Sequence, residues 1–218
     1  MANKDLRDWI SEIEAAGELH KISGAEPKED IGGIVDIVQR KMGNPALMFD
    51  DIPGFPRGYR VLSNLVTSTP RINLALGLPA DASEMDLIQW WRSYMTDAPS
   101  IPPKQVNGGA LLENVMEGGD VDLTSIPTPI WHEHDGGHFI GTACMVVMKD
   151  PDSDWINYGT YRMQVHEPDV ASVMMSPGKH GRLIMEKYHA RGEPCPVAAV
   201  FGMHPALFML AACVRPST

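Results

Sequence analysis

Residues 154–162 read D-W-I-N-Y-G-T-Y-R and bring an amide, three aromatic rings, a glycine and a guanidinium into one short run. The amide oxygen of Asn157 can coordinate a hard cation, and Arg162 can grip a carboxylate or phosphate through two parallel hydrogen bonds. The same residues also suit a plain strand whose Asn157 bonds backbone and whose Arg162 meets a surface carboxylate. Their separation is odd, so on a regular pleat the two side chains point to opposite faces. Sharing one site requires a bulge or a strand end near Gly159.

A second run, S-P-G-K-H-G at residues 176–181, has two glycines that free backbone amides to converge on an anion. The helix expected after it, over residues 182–190, presents unpaired N–H groups and the positive end of its dipole. Lys179, His180 and Arg182 add charge there. The run lacks the Walker pattern, and a basic surface turn has the same composition. A third cluster gathers His132, Glu133, His134, Asp135 and His138. Zinc sites usually draw on helical i, i+4 pairs or on ligands distant in sequence, and Gly136-Gly137 marks a tight turn into a strand. These histidines are expected to bond backbone. A zinc-dependent hydrolase using His132, His134, Asp135 and His138 is the alternative. Taken together, a phosphate cradle, an amide and imidazole for a divalent metal, and an arginine for a carboxylate describe a phosphorylated cofactor, bridged by metal and facing an acid.

The chain that must position these groups has 218 residues, 44% of them apolar, enough to bury a core in one or two domains. Its formal charge of −10 disfavours non-specific nucleic-acid binding and anionic membrane surfaces, which need a clustered positive field. Small-molecule partners are expected. Cys144, Cys195 and Cys213 are odd in number and share no metal spacing, which fits a reducing cytoplasm. The first residues contain no apolar leader, and no run is long enough to span a membrane.

Leu6, Trp9, Ile10 and Ile13 follow a helical i, i+3, i+4, i+7 rhythm that ends at Gly17, with Trp9 in the core. A strand over 19–23, a helix carrying Ile31, Ile34, Val35 and Val38, strands over 46–49 and 59–64, a helix over 71–77 and another over 84–95 make a small α/β unit. The last of these helices is expected to turn Met85, Ile88, Trp91 and Met95 inward. Residues 98–119 read as a connection, with a short strand expected over 110–116, and the boundary falls near Pro103. Strands dominate the remainder: 142–148 paired as a hairpin with the 154–162 run, then 170–175 and 197–201.

The ordered motifs D-V-D-L-T-S-I-P-T-P, H-x-x-D-G-G, W-I-N-Y-G-T-Y-R, S-P-G-K-H and G-M-H-P-A resemble the UbiD family of prenylated-FMN-dependent decarboxylases. D-L-R-D-W-I-S-E-I-E-A-A-G-E-L-H-K-I and A-L-M-F-D-D-I-P-G-F resemble its N-terminal domain, so the similarity covers essentially the whole chain. The resemblance implies an α+β fold, with an N-terminal α/β domain at 1–103 and the first part of a split β-barrel flavin-reductase-like domain at 104–218. It implies non-oxidative, reversible decarboxylation of an aromatic, heteroaromatic or α,β-unsaturated acid. Carried over residue by residue, Asn157 and His180 match two ligands of a divalent metal, usually manganese, held against the cofactor phosphate. Thr160, Tyr161, Arg162, Met175, Ser176, Lys179 and His180 match positions around prenylated FMN, and Lys179 stands where some relatives have glutamine. Arg162 matches the arginine that grips the substrate carboxylate. Backbone oxygens near Tyr158, Ala211 and Cys213 resemble a monovalent cation site, usually potassium. Family members are roughly twice this length, and the chain stops at Arg215-Pro216-Ser217-Thr218. The third metal ligand and the catalytic carboxylates have no counterpart in it. The segment alone is therefore expected to be inactive, and a non-catalytic truncated or assembly subunit is a further alternative. The resemblance also implies a flavin prenyltransferase as cofactor supplier and a homo-oligomer.

Overall fold

The computed structural model describes residues 5–97, 99 and 101–213. Ala98 and Ser100 of the expected connection, and Arg215-Pro216-Ser217-Thr218 at the chain end, lie outside the described residues. The chain opens with α1 (Leu6–Ala15), whose first turn is closed by a reciprocal cap between Asp5 and Asp8. Trp9 and Ile13, four residues apart on one face, are fully buried. Strand β1 (Leu19–Ser23) then crosses over through α2 (Asp30–Gln39) to the parallel strand β2 (Ala46–Asp50), which pairs antiparallel with β3 (Val61–Ser63). Ile31 and Val35 of α2 pack with Leu47, Phe49 and Val61 in one core, which also receives Trp131 from the second half.

α3 (Thr69–Leu76) starts two residues earlier than its apolar spacing suggests, because Ser68 caps it and Pro70 sits in its first turn. It carries Arg71, which is fully buried. The guanidinium bonds Glu18 at 2.6 Å, the Asn44 carbonyl at 2.7 Å, the Asn64 carbonyl at 3.1 Å and the Thr67 hydroxyl at 2.6 Å. Burial pulls the pKa of Arg71 down, and Glu18 pushes it back up.

Two expectations fail in this region. α4 (Glu84–Asp97) buries none of its residues fully: Met85 and Ile88 are each 59% exposed rather than turned inward, while Trp91 and Met95 are half-buried and Trp91 lines a cavity as expected. Its aromatic face instead walls one side of an apolar cavity of about 330 Å³: Trp90 stacks on Tyr94 at 5.0 Å, and both look toward the end of α3. The strand expected over 110–116 is a 3₁₀ turn, Ala110–Leu112, within an entirely exposed stretch, and no strand among the described residues pairs with it.

The second half forms two open, antiparallel, three-stranded sheets that make up part of a barrel. β5 (Met145–Lys149) lies between β6 (Ile156–Gly159) and β9 (Ala198–Val200) in one; β7 (Met163–Glu167) lies between β4 (His138–Phe139) and β8 (Val170–Val173) in the other. The β5–β6 hairpin expected from the turn at residues 150–153 is present, with Met148 opposite Asn157. Residues 160–162 carry the chain from the first sheet into the second. Their core gathers Cys144, Val146, Met148, Tyr161, Met175 and Ile184, the last from α5 (His180–Ala190). The final element, α6 (Pro205–Ala212), reaches back to α3. Among the described residues no helix is long and apolar enough to cross a membrane.

Candidate functional site

Strand β6 runs along an edge of its sheet, so its far side is open. There it meets the beginning of α5 and the end of α6 around a cavity of about 350 Å³. From β6 and the segment after it come Asn157, Tyr158, Gly159, Thr160 and Tyr161. The loop before α5 contributes Ser176, Gly178, Lys179 and His180, and α6 contributes Ala211, Ala212 and Cys213. Nine of the residues expected at a site from sequence therefore converge on one cavity.

Local chemistry explains how each group arrives. Gly178 has φ = +79°, a left-handed conformation costly for other residues, and it turns the chain into α5. The helix begins at His180, two residues before the apolar pattern suggests, which makes Lys179 its N-cap. Lys179 offers no side-chain cap bond, so the first turn is not closed off by its own cap residue. The imidazole of His180 stands edge-on to Trp155 with ring centroids 5.0 Å apart. At the other end of the cavity, α6 presents the carbonyls of its last turn, and the Cys213 N–H is tied to the Leu210 oxygen.

Asn157 is 5% exposed, yet its Nδ2 has no hydrogen-bond partner. A buried amide left in this state costs stability, and its Nδ2 is not spent on strand backbone. An amide with an unpartnered Nδ2, beside a helix start that its own N-cap residue does not close, an imidazole and a lysine, fits a phosphate and a divalent cation. Among the described residues no group of three or more His, Cys, Asp or Glu side chains is placed to hold a metal. Asn157 and His180 would thus be two ligands of an incomplete set.

Two expected site residues lie elsewhere. Met175 is buried in the core, and its neighbour Met174 faces the cavity instead. Arg162 lines a separate cleft of about 210 Å³ with Trp131, Phe139 and Thr142, where its guanidinium lies 5.2 Å over the Phe139 ring. The break expected near Gly159 exists, since β6 ends there, but it sends Asn157 and Arg162 to different cavities. Residues 160–162 form the partition between them.

Of the histidine cluster, only His138 meets the expectation of a ring bonded to backbone. Asp135 accepts the His132 backbone N–H at 3.1 Å, and His138 on β4 contacts the Thr128 carbonyl at 2.7 Å. His132, His134 and His138 are exposed and are not assembled as a metal set.

Three features escaped the sequence. Tyr161, beyond lining the cavity, supports it from beneath: its ring touches both Gly159 and Gly181. Lys187 bonds Asp150, and Arg191 bonds Asp152, clamping α5 to the β5–β6 turn. That bond holds the Asp150 carboxyl below its usual range and raises Lys187. Burial pushes the Cys144 thiol up, which leaves it a neutral donor to the Tyr161 carbonyl at 3.2 Å. Only the spacing of Asp150 and Asp152 in a turn hinted at the clamp.

Known proteins with this arrangement can be compared directly. The family model for the 3-octaprenyl-4-hydroxybenzoate carboxy-lyase Rift-related domain (UbiD) matches residues 104–218, and the model for the N-terminal domain of the same carboxy-lyases matches 10–91. The pyrrole-2-carboxylic acid decarboxylase of Pseudomonas aeruginosa is 29% identical over 220 residues, covering 97% of this chain and 44% of its own. The phenolic acid decarboxylase of Escherichia coli O157:H7 is 32% identical, covering 97% and 46%. The chain thus spans a little under half the length of these relatives. In structure it superposes on the closed form of Sedimentibacter hydroxybenzoicus vanillic acid decarboxylase with a TM-score of 0.87 at 28% identity, over 97% of this chain and 45% of that one. The UbiD-class enzyme HmfF of Pelotomaculum thermopropionicum, in complex with FMN, shares the fold at a TM-score of 0.80 and 24% identity, over 95% of this chain and 44% of that one.

Proposed function

This chain belongs to the UbiD family of carboxy-lyases, and we propose that it supplies the cofactor-phosphate and substrate-carboxylate sites of a decarboxylase acting on an aromatic, heteroaromatic or α,β-unsaturated acid. The observation that carries this reading is the buried, unpartnered amide of Asn157 in one cavity with the open start of α5. Residues 1–103 are read as the N-terminal unit and 104–218 as the cofactor-binding unit; the fully exposed stretch at 101–120 supports that division.

In this reading Ser176, Lys179 and the first amides of α5 bind the phosphate of prenylated FMN, with Thr160 beside them. Asn157 and His180 would hold manganese, which would supply positive charge to the phosphate. The carbonyls at Tyr158, Ala211 and Cys213 take a potassium ion, whose hard oxygen preference they match. The bound flavin supplies an electron sink for the pair released when carbon dioxide leaves. Arg162 grips the substrate carboxylate and turns a chance encounter into a positioned one, with Phe139 beneath the guanidinium fixing its plane. Trp131, Phe139 and Thr142 give the acid's ring an apolar wall beside that charge. A carboxyl group outside this chain is assigned the return of a proton to the product carbon. A flavin prenyltransferase supplies the cofactor, the setting is cytoplasmic, and the assembly is homo-oligomeric.

The test expresses the reading frame carrying this chain in cells that make prenylated FMN, adds manganese, and follows carbon dioxide release from a panel of aromatic acids. Release is expected, and Arg162→Ala should lower it by about 100-fold or more, the scale for losing a positioning contact. Full activity in the Arg162→Ala protein would remove the arginine from its role. Stoichiometric zinc without flavin absorbance would overturn the whole reading.

A further inference from the structure

The first turn of α5 has an unusual solution to its unpaired amides. A helix normally offers its second or third N–H to the side-chain oxygen of its own N-cap residue. Here the N-cap is Lys179, which has no acceptor, and the second N–H, that of Gly181, donates instead to the hydroxyl of Tyr161 at 3.0 Å. The cap therefore comes from twenty residues upstream, in the segment that joins the two sheets. It also comes from the core side: Tyr161 is 9% exposed and packs with Cys144, Met175 and Ile184.

The ring fits between two glycines. A Cβ at Gly159 would lie 2.5 Å from its Cε2, and one at Gly181 would lie 2.9 Å from both Cε2 and the hydroxyl oxygen. Any side chain at either position would push the end of β6 and the start of α5 apart. The ring is thus the spacer between the elements that carry Asn157 and His180, and its hydroxyl is the tether.

We propose that Tyr161 is a positioning residue that caps α5 from the core side, setting the Asn157–His180 spacing while leaving the cavity side of the helix start open to a phosphate. This rests on the phosphate-site reading above. A serine or aspartate cap at position 179 would place lone pairs or negative charge where the phosphate must bind. A phenol reaching up from the core satisfies the Gly181 N–H without doing so. Its acceptor is neutral, so the dipole of α5 still favours an anion. Thr160, Ser176 and Lys179 remain free to line the cavity.

Tyr161→Phe keeps the spacer and removes the tether, leaving the Gly181 N–H buried under a ring with no acceptor. The experiment titrates FMN and riboflavin, each with manganese, into the wild-type chain and the variant, followed by flavin fluorescence. Thermal melting and hydrogen exchange over residues 178–184 are measured in parallel. Wild type should prefer FMN to riboflavin. The variant should bind FMN about tenfold more weakly, the scale of one buried hydrogen bond. Its affinity for riboflavin, which lacks the phosphate, should not change, and exchange at the start of α5 should quicken. FMN affinity within twofold of wild type would overturn the proposal, as would equal losses for both flavins, which would mark Tyr161 as merely structural. A wild-type chain showing no preference for FMN would overturn the phosphate-site reading itself and this proposal with it.

Discussion

Replacing Asn157 by leucine should make the protein more stable and abolish its response to manganese. The side chain is 5% exposed on β6, opposite Met148, and its Nδ2 has no partner. A buried polar group in that state costs about 1–3 kcal/mol, and leucine keeps the branched shape and heavy-atom count without the polar atoms, its extra bulk being taken up on the cavity side. In a chain of this size each kcal/mol moves the melting temperature by roughly 2–4 °C, so Asn157→Leu should melt roughly 2–10 °C higher. Manganese should act in the opposite sense. At ~100 times its dissociation constant a bound ion adds about 2.7 kcal/mol, a rise of roughly 5–10 °C for wild type and none for the variant. Differential scanning calorimetry with and without manganese measures both quantities on the same samples. A variant that melts lower than wild type would mean that the amide is satisfied in solution. A variant that keeps the manganese shift would mean that the ion binds without Asn157. Either result refutes the reasoning, whereas a structural asparagine would show loss of stability and no change in metal response.

Other perturbations test the supports of the site. Arg71→Leu strands the Glu18 carboxylate and the Asn44 carbonyl and strips a donor from the Asn64 carbonyl, so urea unfolding should show a loss of about 3 kcal/mol or more; a loss under about 1 kcal/mol would mean that these oxygens find water. Gly159→Ala puts a methyl group 2.5 Å from the Tyr161 ring and should cost about 1–3 kcal/mol. The same change made in a Tyr161→Ala protein should cost almost nothing, and additive losses would show that the ring is not what the methyl meets. The clamp on α5 has a pH window set by its two partners. Asp150 titrates below its ordinary 3.8 in the folded state, so its contribution is present above that value and fades as pH falls through the folded pKa. Lys187 titrates above 10.5, so its contribution is present below that value and fades as pH rises through the folded pKa. The melting difference between wild type and Lys187→Met should therefore stay constant from about pH 5 to 9 and vanish in stronger acid. A difference that does not begin to shrink as pH falls below 3.8 would rule out the ion pair as its cause.

Much of the fold was legible because local chemistry and tertiary packing agree in it. Trp9 and Ile13 repeat at helical spacing and are buried, and the turn at residues 150–153 does fold β5 onto β6. The misreadings share a physical reason. In α4 the apolar residues follow a helical rhythm, but periodicity cannot say whether a partner surface exists, and Met85 and Ile88 meet none among the described residues. Residues 205–212 are apolar all round, so no stripe marks them as a helix, and only the His-Pro pair at its start is a signal. At the site, residue types and order pointed to Asn157, Ser176, Lys179 and His180, which do converge on one cavity. What spacing could not supply is the third dimension. Arg162 follows Tyr161 directly, yet the chain changes sheets there, and the two side chains end in different cavities.

That change of sheet accounts for how the site is assembled. A strand continuing straight past Gly159 would alternate its side chains between one buried face and one open face, and could serve only one cavity. By leaving its sheet at Gly159 and joining the next at Met163, the chain gives Asn157 and Thr160 to the side where the start of α5 and the end of α6 line one cavity. An anion placed there alone would be drawn to α5 and repelled by α6. A cation alone would meet the reverse. The two helix ends therefore suit ligand groups of opposite charge. The unpartnered Nδ2 of Asn157 on β6 is an N–H donor, so it adds to the anion's side of that cavity.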